Sequence, residues 1–134
     1  MKKIIDKLAW LYIRDGKLLT VRSKGKALFY LPGGKREQGE SDEQALVREI
    51  REEISVDLVS DTIKYVDTFT AQADGKDDGV LVQLTCYTAE YSGKLSPDAE
   101  IEELKFVDAT DEAICSLATK VAMDWLVSRS LISE

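Results

Sequence analysis

Three glutamates, Glu49, Glu52 and Glu53, are spaced so that their carboxylates could share one metal-binding surface. If the segment is helical, residues three and four apart lie side by side, and the three carboxylates fall within an arc of about 100°. Like charges at this spacing destabilise an exposed helix by a few tenths of a kcal/mol for each pair, and burial increases the repulsion. A divalent cation removes it. The spacing alone is therefore typical either of a metal site or of a solvated charged face.

The sequence contains no histidine. Catalytic triads that need histidine, histidine general bases and histidine-ligated zinc are therefore excluded. The base in any reaction must be a carboxylate or, less often, a lysine, tyrosine or cysteine. A hard metal held by oxygen atoms alone is expected to be Mg²⁺ or Mn²⁺. Cys86 and Cys115 are too far apart for a CxxC pair, which favours a reducing, cytoplasmic location.

A helix over residues 41–54 must carry the glutamates. Ser41 and Gln44 have the spacing of a capping box, and acidic residues in the first turn suit the helix dipole. The apolar residues of this segment form a stripe beside the carboxylates and are expected to face the core: Leu46, Val47, Ile50 and Ile54.

The segment from Gly34 to Val56 resembles the Nudix box, GX5EX7REUXEEXGU, in which U is an aliphatic residue. The matching positions are Gly34, Glu40, Arg48, Glu49, Ile50, Glu52, Glu53 and Val56, and the approach Leu31-Pro32-Gly33-Gly34 is also typical of that family. One position departs, because Ser55 stands where the family usually has glycine. A left-handed turn after the helix would cost serine about 1 kcal/mol.

The resemblance implies a fold, a reaction and a set of metal ligands. The fold is α/β (α+β), a Nudix-type α/β/α sandwich with a mixed β-sheet between helices, formed by residues 1–134 as a single Nudix hydrolase domain. The reaction is hydrolysis of a pyrophosphate bond in a nucleoside diphosphate linked to another group, X. The implied ligands of Mg²⁺ or Mn²⁺ are Glu49, Glu52, Glu53 and the backbone carbonyl of Gly33.

The resemblance also gives roles to Arg48 and Glu40 in the catalytic set. Arg48 would pair with Glu40 and hold the preceding loop against the helix, while its remaining N–H groups orient a metal ligand. The alternative is an ordinary surface ion pair.

The base of the reaction has several candidates. A metal-activated water would attack one phosphorus in line, with Glu53 or Glu52 accepting its proton. Some members of the family use an acidic residue from a distant loop, and the run at residues 100–103 offers Glu102 and Glu103. The alternative for this run is a solvated acidic turn.

The substrate is indicated mainly by missing family signals. The stretch at residues 69–73 lacks the proline typical of enzymes acting on ADP-ribose and the tyrosine typical of those acting on diadenosine polyphosphates. These absences favour a MutT-like (d)NTP pyrophosphohydrolase. The alternatives are an RNA 5′-end pyrophosphohydrolase, a nucleotide-sugar or ADP-ribose pyrophosphohydrolase, a non-catalytic Nudix-fold nucleotide sensor and an acidic interaction domain without enzymatic activity.

Substrate contacts are predicted at two places. Gln83 and Tyr87 alternate with apolar residues on a predicted strand and could line a base pocket. Arg22 and Lys26 precede the Nudix box and could contact phosphates. For all four residues an ordinary solvent-exposed surface is the alternative.

Net charge is −7, but residues 1–36 carry +8 and the remainder carries −15. An acidic protein is a poor binder of duplex nucleic acid, so a small nucleotide substrate is favoured over a duplex partner. No apolar run reaches the roughly 18–20 residues of a membrane span, and the first residues lack the apolar stretch of a signal peptide, so no membrane partner is expected. The sequence leaves a homodimer open.

The remaining elements are expected to form a mixed sheet with helices packed on it. A hairpin turns at Asp15-Gly16, and apolar residues at helical spacing predict a closing helix over residues 111–128. Trp10 and Trp125 are expected in the core. The predicted strands are residues 4–14, 17–22, 27–31, 62–72, 79–91 and 102–108.

Overall fold

The computed structural model describes residues 3–132. Its strands are β1 (Lys3–Trp10), β2 (Ile13–Arg14), β3 (Lys17–Ser23), β4 (Gly33–Gly34), β5 (Asp57–Leu58), β6 (Lys64–Gln72), β7 (Val80–Thr88), β8 (Tyr91–Ser92) and β9 (Ile101–Val107). Its helices are α1 (Asp42–Ile54) and α2 (Leu117–Ser128), with short 3-10 helices at Ser60–Thr62 and Ala109–Ile114.

A mixed four-stranded sheet in the order β4-β1-β7-β6 lies between the two helices. Strands β1 and β7 run parallel, and the other pairings in this sheet are antiparallel. Side chains alternate along β1, so Leu8 and Trp10 pack with α1 while Ala9 and Leu11 pack with α2. This arrangement confirms the predicted α/β/α sandwich. A second sheet, in the order β2-β3-β9, and a small β5-β8 pair complete the fold.

Helix α1 begins and ends as its sequence predicts. The Ser41 hydroxyl accepts from the Gln44 N–H at 3.2 Å, and the Gln44 side chain accepts from the Ser41 N–H at 2.9 Å, which closes the capping box. After the helix, Ser55 has φ of 67° and ψ of 16°. The expected left-handed turn therefore forms with serine in the position that the family usually gives to glycine.

One predicted element is wrong, and a second is confirmed only over residues 117–128. Residues 27–31 form no strand, because Phe29 and Tyr30 make single bridges to Cys115 and Val21 on different elements. The predicted helix over residues 111–128 is divided into a 3-10 helix and α2. The Ser116 N–H donates to the Phe29 carbonyl, and the Ser116 hydroxyl caps α2 by accepting from the Thr119 N–H. These two bonds pull the chain out of helical geometry.

Two predicted strands are interrupted. Residues 4–14 divide into β1 and β2, and residues 79–91 divide into β7 and β8, of which β8 pairs with β5.

Trp10 is fully buried as expected, whereas Trp125 is half-buried against the Phe69 ring. No helix within residues 3–132 is both long and apolar enough to cross a membrane.

Candidate active site

Two glycines of β4 bring the backbone directly against the face of α1 that carries the glutamates. Gly33 has φ of +145°, and a Cβ on it would lie 2.0 Å from the Leu8 carbonyl oxygen. A Cβ on Gly34 would lie 2.3 Å from Oε2 of Glu49. The backbone contact and the positive φ require glycine at position 33, whereas a side chain at position 34 would displace the Glu49 carboxylate. The Gly33 N–H donates to Oε1 of Glu53 at 2.9 Å, which links β4 to the helix.

The Glu53 carboxyl group lies half-buried between α1 and β4. Burial raises the pKa of Glu53 to about 8, the neighbouring Glu49 charge raises it further, and the Gly33 N–H opposes this shift. Without a cation, Glu53 is therefore mostly protonated at pH 7. A half-buried carboxyl group with a raised pKa beside a second carboxylate is typical of a functional site.

Arg48 connects the loop before α1 to the glutamate face. Its Nε and Nη2 atoms donate to the two carboxylate oxygens of Glu40 at 2.7 and 2.8 Å, and Nη1 donates to Glu49 at 2.7 Å. Hydrogen bonds from Arg48 and from the Glu37 N–H lower the pKa of Glu40 to about 2. Nη2 also donates to the Lys35 carbonyl at 3.1 Å. The predicted Arg48–Glu40 pair is thus a two-bond contact that fixes the loop and orients Glu49.

The carboxylates of Glu49, Glu52 and Glu53 are suitable ligands for a hard cation, although their side chains do not converge on one point in the structure. Within residues 3–132, no three acidic or cysteine side chains converge closely enough to surround an ion. Glu49 is engaged by Arg48, Glu53 by the Gly33 N–H, and the half-exposed Glu52 lies 3.5 Å from Arg48. The oxygen-only donor set and the mutual repulsion of Glu49 and Glu53 both fit Mg²⁺ or Mn²⁺.

A cavity of about 340 Å³ opens beside Glu53. Gly33, Gly34 and Glu53 form one end of it. Apolar side chains line its floor, including Ile5, Val82 and Leu84, and polar side chains line the rest, including Lys7, Lys26, Tyr30, Asp74, Lys76 and Thr119. The cavity therefore joins the carboxylates to an enclosed surface large enough for a small ligand.

Lys26 is the predicted phosphate contact that lines this cavity. Arg22 is held elsewhere: its Nη2 atom lies 3.1 Å from the Glu103 carboxylate and 3.6 Å from that of Glu102. The two glutamates are about half exposed and face Arg22. Of the acidic run, Glu100 is the residue whose charge acts on Glu53.

Gln83 and Tyr87, the residues predicted for a base pocket, do not line this cavity. Side chains alternate along β7, and Val82 and Leu84 face the cavity, so Gln83 and Tyr87 point to the opposite side of the sheet. There the Tyr87 hydroxyl donates to Asp42 at 2.6 Å.

The cavity residues that sequence reasoning missed include Lys7, Tyr30 and Asp74. Lys7 carried a usable signal, because it is a charged residue between the apolar Ile5 and Ala9 on one face of β1. Tyr30 and Asp74 lie outside regular strands, and they meet only through the folding of distant segments.

Comparison with known proteins decides the family. The NUDIX domain family model matches residues 7–125. The chain belongs to the Nudix family. The resemblance of the segment from Gly34 to Val56 to the Nudix box is thereby confirmed.

Two relatives from other bacteria illustrate the sequence similarity. An uncharacterised Nudix hydrolase, YvcI of Bacillus subtilis, is 28% identical over 97 residues, which are 72% of this chain and 61% of that protein. A CTP pyrophosphohydrolase of Escherichia coli is 35% identical over 78 residues, which are 55% of this chain and 56% of that protein. These matches thus span about three-fifths of each relative's length.

Solved structures agree in fold over nearly the whole chain. The ORF135 protein of E. coli has a TM-score of 0.69 at 26% identity, with 96% of this chain and 94% of that chain covered. A MutT Nudix hydrolase from Burkholderia pseudomallei has a TM-score of 0.73 at 22% identity, with 92% and 98% covered.

Proposed function

We propose that this Nudix hydrolase is a Mg²⁺- or Mn²⁺-dependent pyrophosphohydrolase of (deoxy)nucleoside triphosphates. The observation that carries the proposal is the half-buried Glu53 carboxyl group, which accepts from the Gly33 N–H and lines the cavity, beside Glu49, which lies against Gly34. The free, buried thiols of Cys86 and Cys115 support a reducing, cytoplasmic location.

Glu49, Glu52, Glu53 and the Gly33 carbonyl would hold the cations. The chemistry that such cations supply when bound is the polarisation of phosphate oxygens and the generation of a water nucleophile at neutral pH. The Gly33 N–H engages Oε1 of Glu53. With the carboxyl group ionised beside a bound cation, Oε2 would accept the proton of the attacking water. Arg48 and Glu40 keep Glu49 in place during this step.

The cavity is the proposed site of the nucleoside. Its volume of about 340 Å³ suits a small ligand, and the apolar floor with the Tyr30 ring suits the face of a nucleobase. Asp74 and Thr119, which also line the cavity, would supply polar groups for the base edge. The name of the E. coli relative, CTP pyrophosphohydrolase, supports a nucleoside triphosphate as the substrate class.

A substrate panel tests the proposal. The purified protein is incubated with ribo- and deoxyribonucleoside triphosphates, ADP-ribose, nucleotide sugars and 5′-triphosphate RNA, with Mg²⁺ or with EDTA. We expect release of pyrophosphate from at least one nucleoside triphosphate, with loss of activity in EDTA. Nucleotide binding without hydrolysis would indicate a sensor instead, and a strong preference for RNA or ADP-ribose would move the substrate to another class.

A further inference from the structure

Lys7 is an exception on the inward face of β1. Its neighbours on that face, Ile5 and Ala9, pack in the core beneath α2. Lys7 is half-buried between them and lines the cavity together with Glu53 and Gly34. A lysine that served solubility would lie on an exposed position, whereas this side chain directs a charge into the enclosed end of the cavity.

Lys7 forms no contact ion pair within the part of the chain that the structure describes. Within residues 3–132, no carboxylate oxygen lies within 4.0 Å of its ammonium group. Burial and the nearby Lys35 lower the pKa of Lys7, while Glu53 and Glu49 act in the opposite direction. Glu49 is already bonded to Arg48. The ammonium groups of Lys7 and Lys35 repel each other, and a bound anion near both would relieve this repulsion.

The other basic side chains near the cavity are less suited than Lys7 to binding an anion inside it. Arg22 is paired with Glu103. Lys26 and Lys76 lie on exposed loop positions at the rim. Lys7 alone among these groups projects from a central strand next to Glu53, where the strand fixes the position of its backbone.

We propose that the Lys7 ammonium group binds the phosphate oxygens of the substrate at the end of the cavity formed by Glu53 and Gly34. The inference rests on the proposed function and adds a phosphate-binding residue outside the Nudix box. Cations held by the glutamates and the ammonium group of Lys7 would then both bind phosphate oxygens of the substrate. Lys7 neutralises charge and positions the chain of phosphates without taking part in proton transfer.

Calorimetry with inorganic pyrophosphate in the presence of Mg²⁺ tests this role directly. Lys7→Met removes the charge and retains most of the apolar stem, Lys7→Arg retains the charge, and Lys3→Met removes an exposed lysine of the same strand that does not line the cavity. We expect pyrophosphate affinity to fall about tenfold or more in Lys7→Met, to be partly kept in Lys7→Arg and to stay within about twofold in Lys3→Met.

Two further measurements separate the possible causes. Binding of Mg²⁺ alone should be as tight in Lys7→Met as in the wild type, and KM for a nucleoside triphosphate should rise more than kcat falls. Unchanged pyrophosphate affinity in Lys7→Met, or wild-type protein that binds no pyrophosphate, would overturn the role of Lys7. Pyrophosphate binding that depends on Lys7 without hydrolysis of any nucleotide would keep this role and reject the proposed function.

Discussion

Two pairs of glutamates in this molecule have similar composition and different surroundings. Glu49 and Glu53 lie on α1, where burial and their mutual charge raise the pKa of Glu53 to about 8. Glu102 and Glu103 lie on β9, about half exposed and facing Arg22. Solvent and Arg22 already compensate the pair on β9, whereas the pair on α1 still lacks a full counter-charge.

This difference shows which acidic clusters are candidates for chemistry. Glu49 has one partner, Arg48, and that arginine also binds Glu40. The fold therefore holds Glu49 and Glu53 at a cost in stability that a bound cation would offset. The α1 pair and the β9 pair can be compared by matched charge-removing variants.

Glu53→Gln should have the largest effect. The amide keeps the acceptor for the Gly33 N–H but removes the negative charge and the group that takes a proton. We expect kcat at saturating Mg²⁺ to fall by roughly a thousandfold. Glu103→Gln, as the matched control, should keep kcat within about twofold. Near wild-type turnover in Glu53→Gln would remove Glu53 from the centre of the mechanism.

The same substitution should stabilise the metal-free protein. The pKa of Glu53 is about 8 in the folded state and near 4.5 when exposed, so the unfolded state loses a proton more readily between these values. Stability of the wild type without metal should therefore fall as pH rises from about 4.5 to 8 and level off above that range. Denaturant unfolding in EDTA should show Glu53→Gln more stable by about 3 kcal/mol at pH 7. Equal pH slopes for the two proteins would contradict the half-buried position of Glu53.

Loss of the contact between Arg48 and Glu40 should have an intermediate effect. Glu40→Gln weakens the two-bond contact and frees Arg48 to move away from Glu49. We expect apparent Mg²⁺ affinity, measured from activity at increasing Mg²⁺, to fall by about tenfold. Glu37→Gln, which removes an exposed carboxylate 3.5 Å from Arg48, is the control and should change this affinity little. Equal effects of the two substitutions would make the Glu40 contact an ordinary ion pair.

Ser55→Gly should have the smallest effect, and it acts on stability alone. Ser55 has φ of 67°, which glycine adopts without strain. Its hydroxyl donates to the Ser96 carbonyl at 3.2 Å in an exposed position, so the lost bond is weak. We expect a gain of about 0.5–1 kcal/mol, seen as a Tm higher by a few degrees, with kcat unchanged. A lower Tm would show that the Ser96 contact outweighs the backbone strain.

The sequence predicts local features of this molecule more fully than distant ones. The capping box at Ser41 and the left-handed Ser55 depend on neighbouring residues, and both form as expected. The break before α2 depends on Phe29, which is far away in sequence, so helical spacing could not predict it. The face of β7 that lines the cavity likewise follows from packing against α2, which the alternation of Gln83 and Tyr87 does not encode.

Mn²⁺ binding followed by electron paramagnetic resonance tests the central claim most directly. The titration compares the wild type with Glu53→Gln and with the double variant Glu102→Gln/Glu103→Gln. The account predicts at least one Mn²⁺ bound by the wild type, an affinity at least about tenfold weaker in Glu53→Gln, and wild-type affinity in the double variant. Equal Mn²⁺ affinity in the wild type and Glu53→Gln would contradict it.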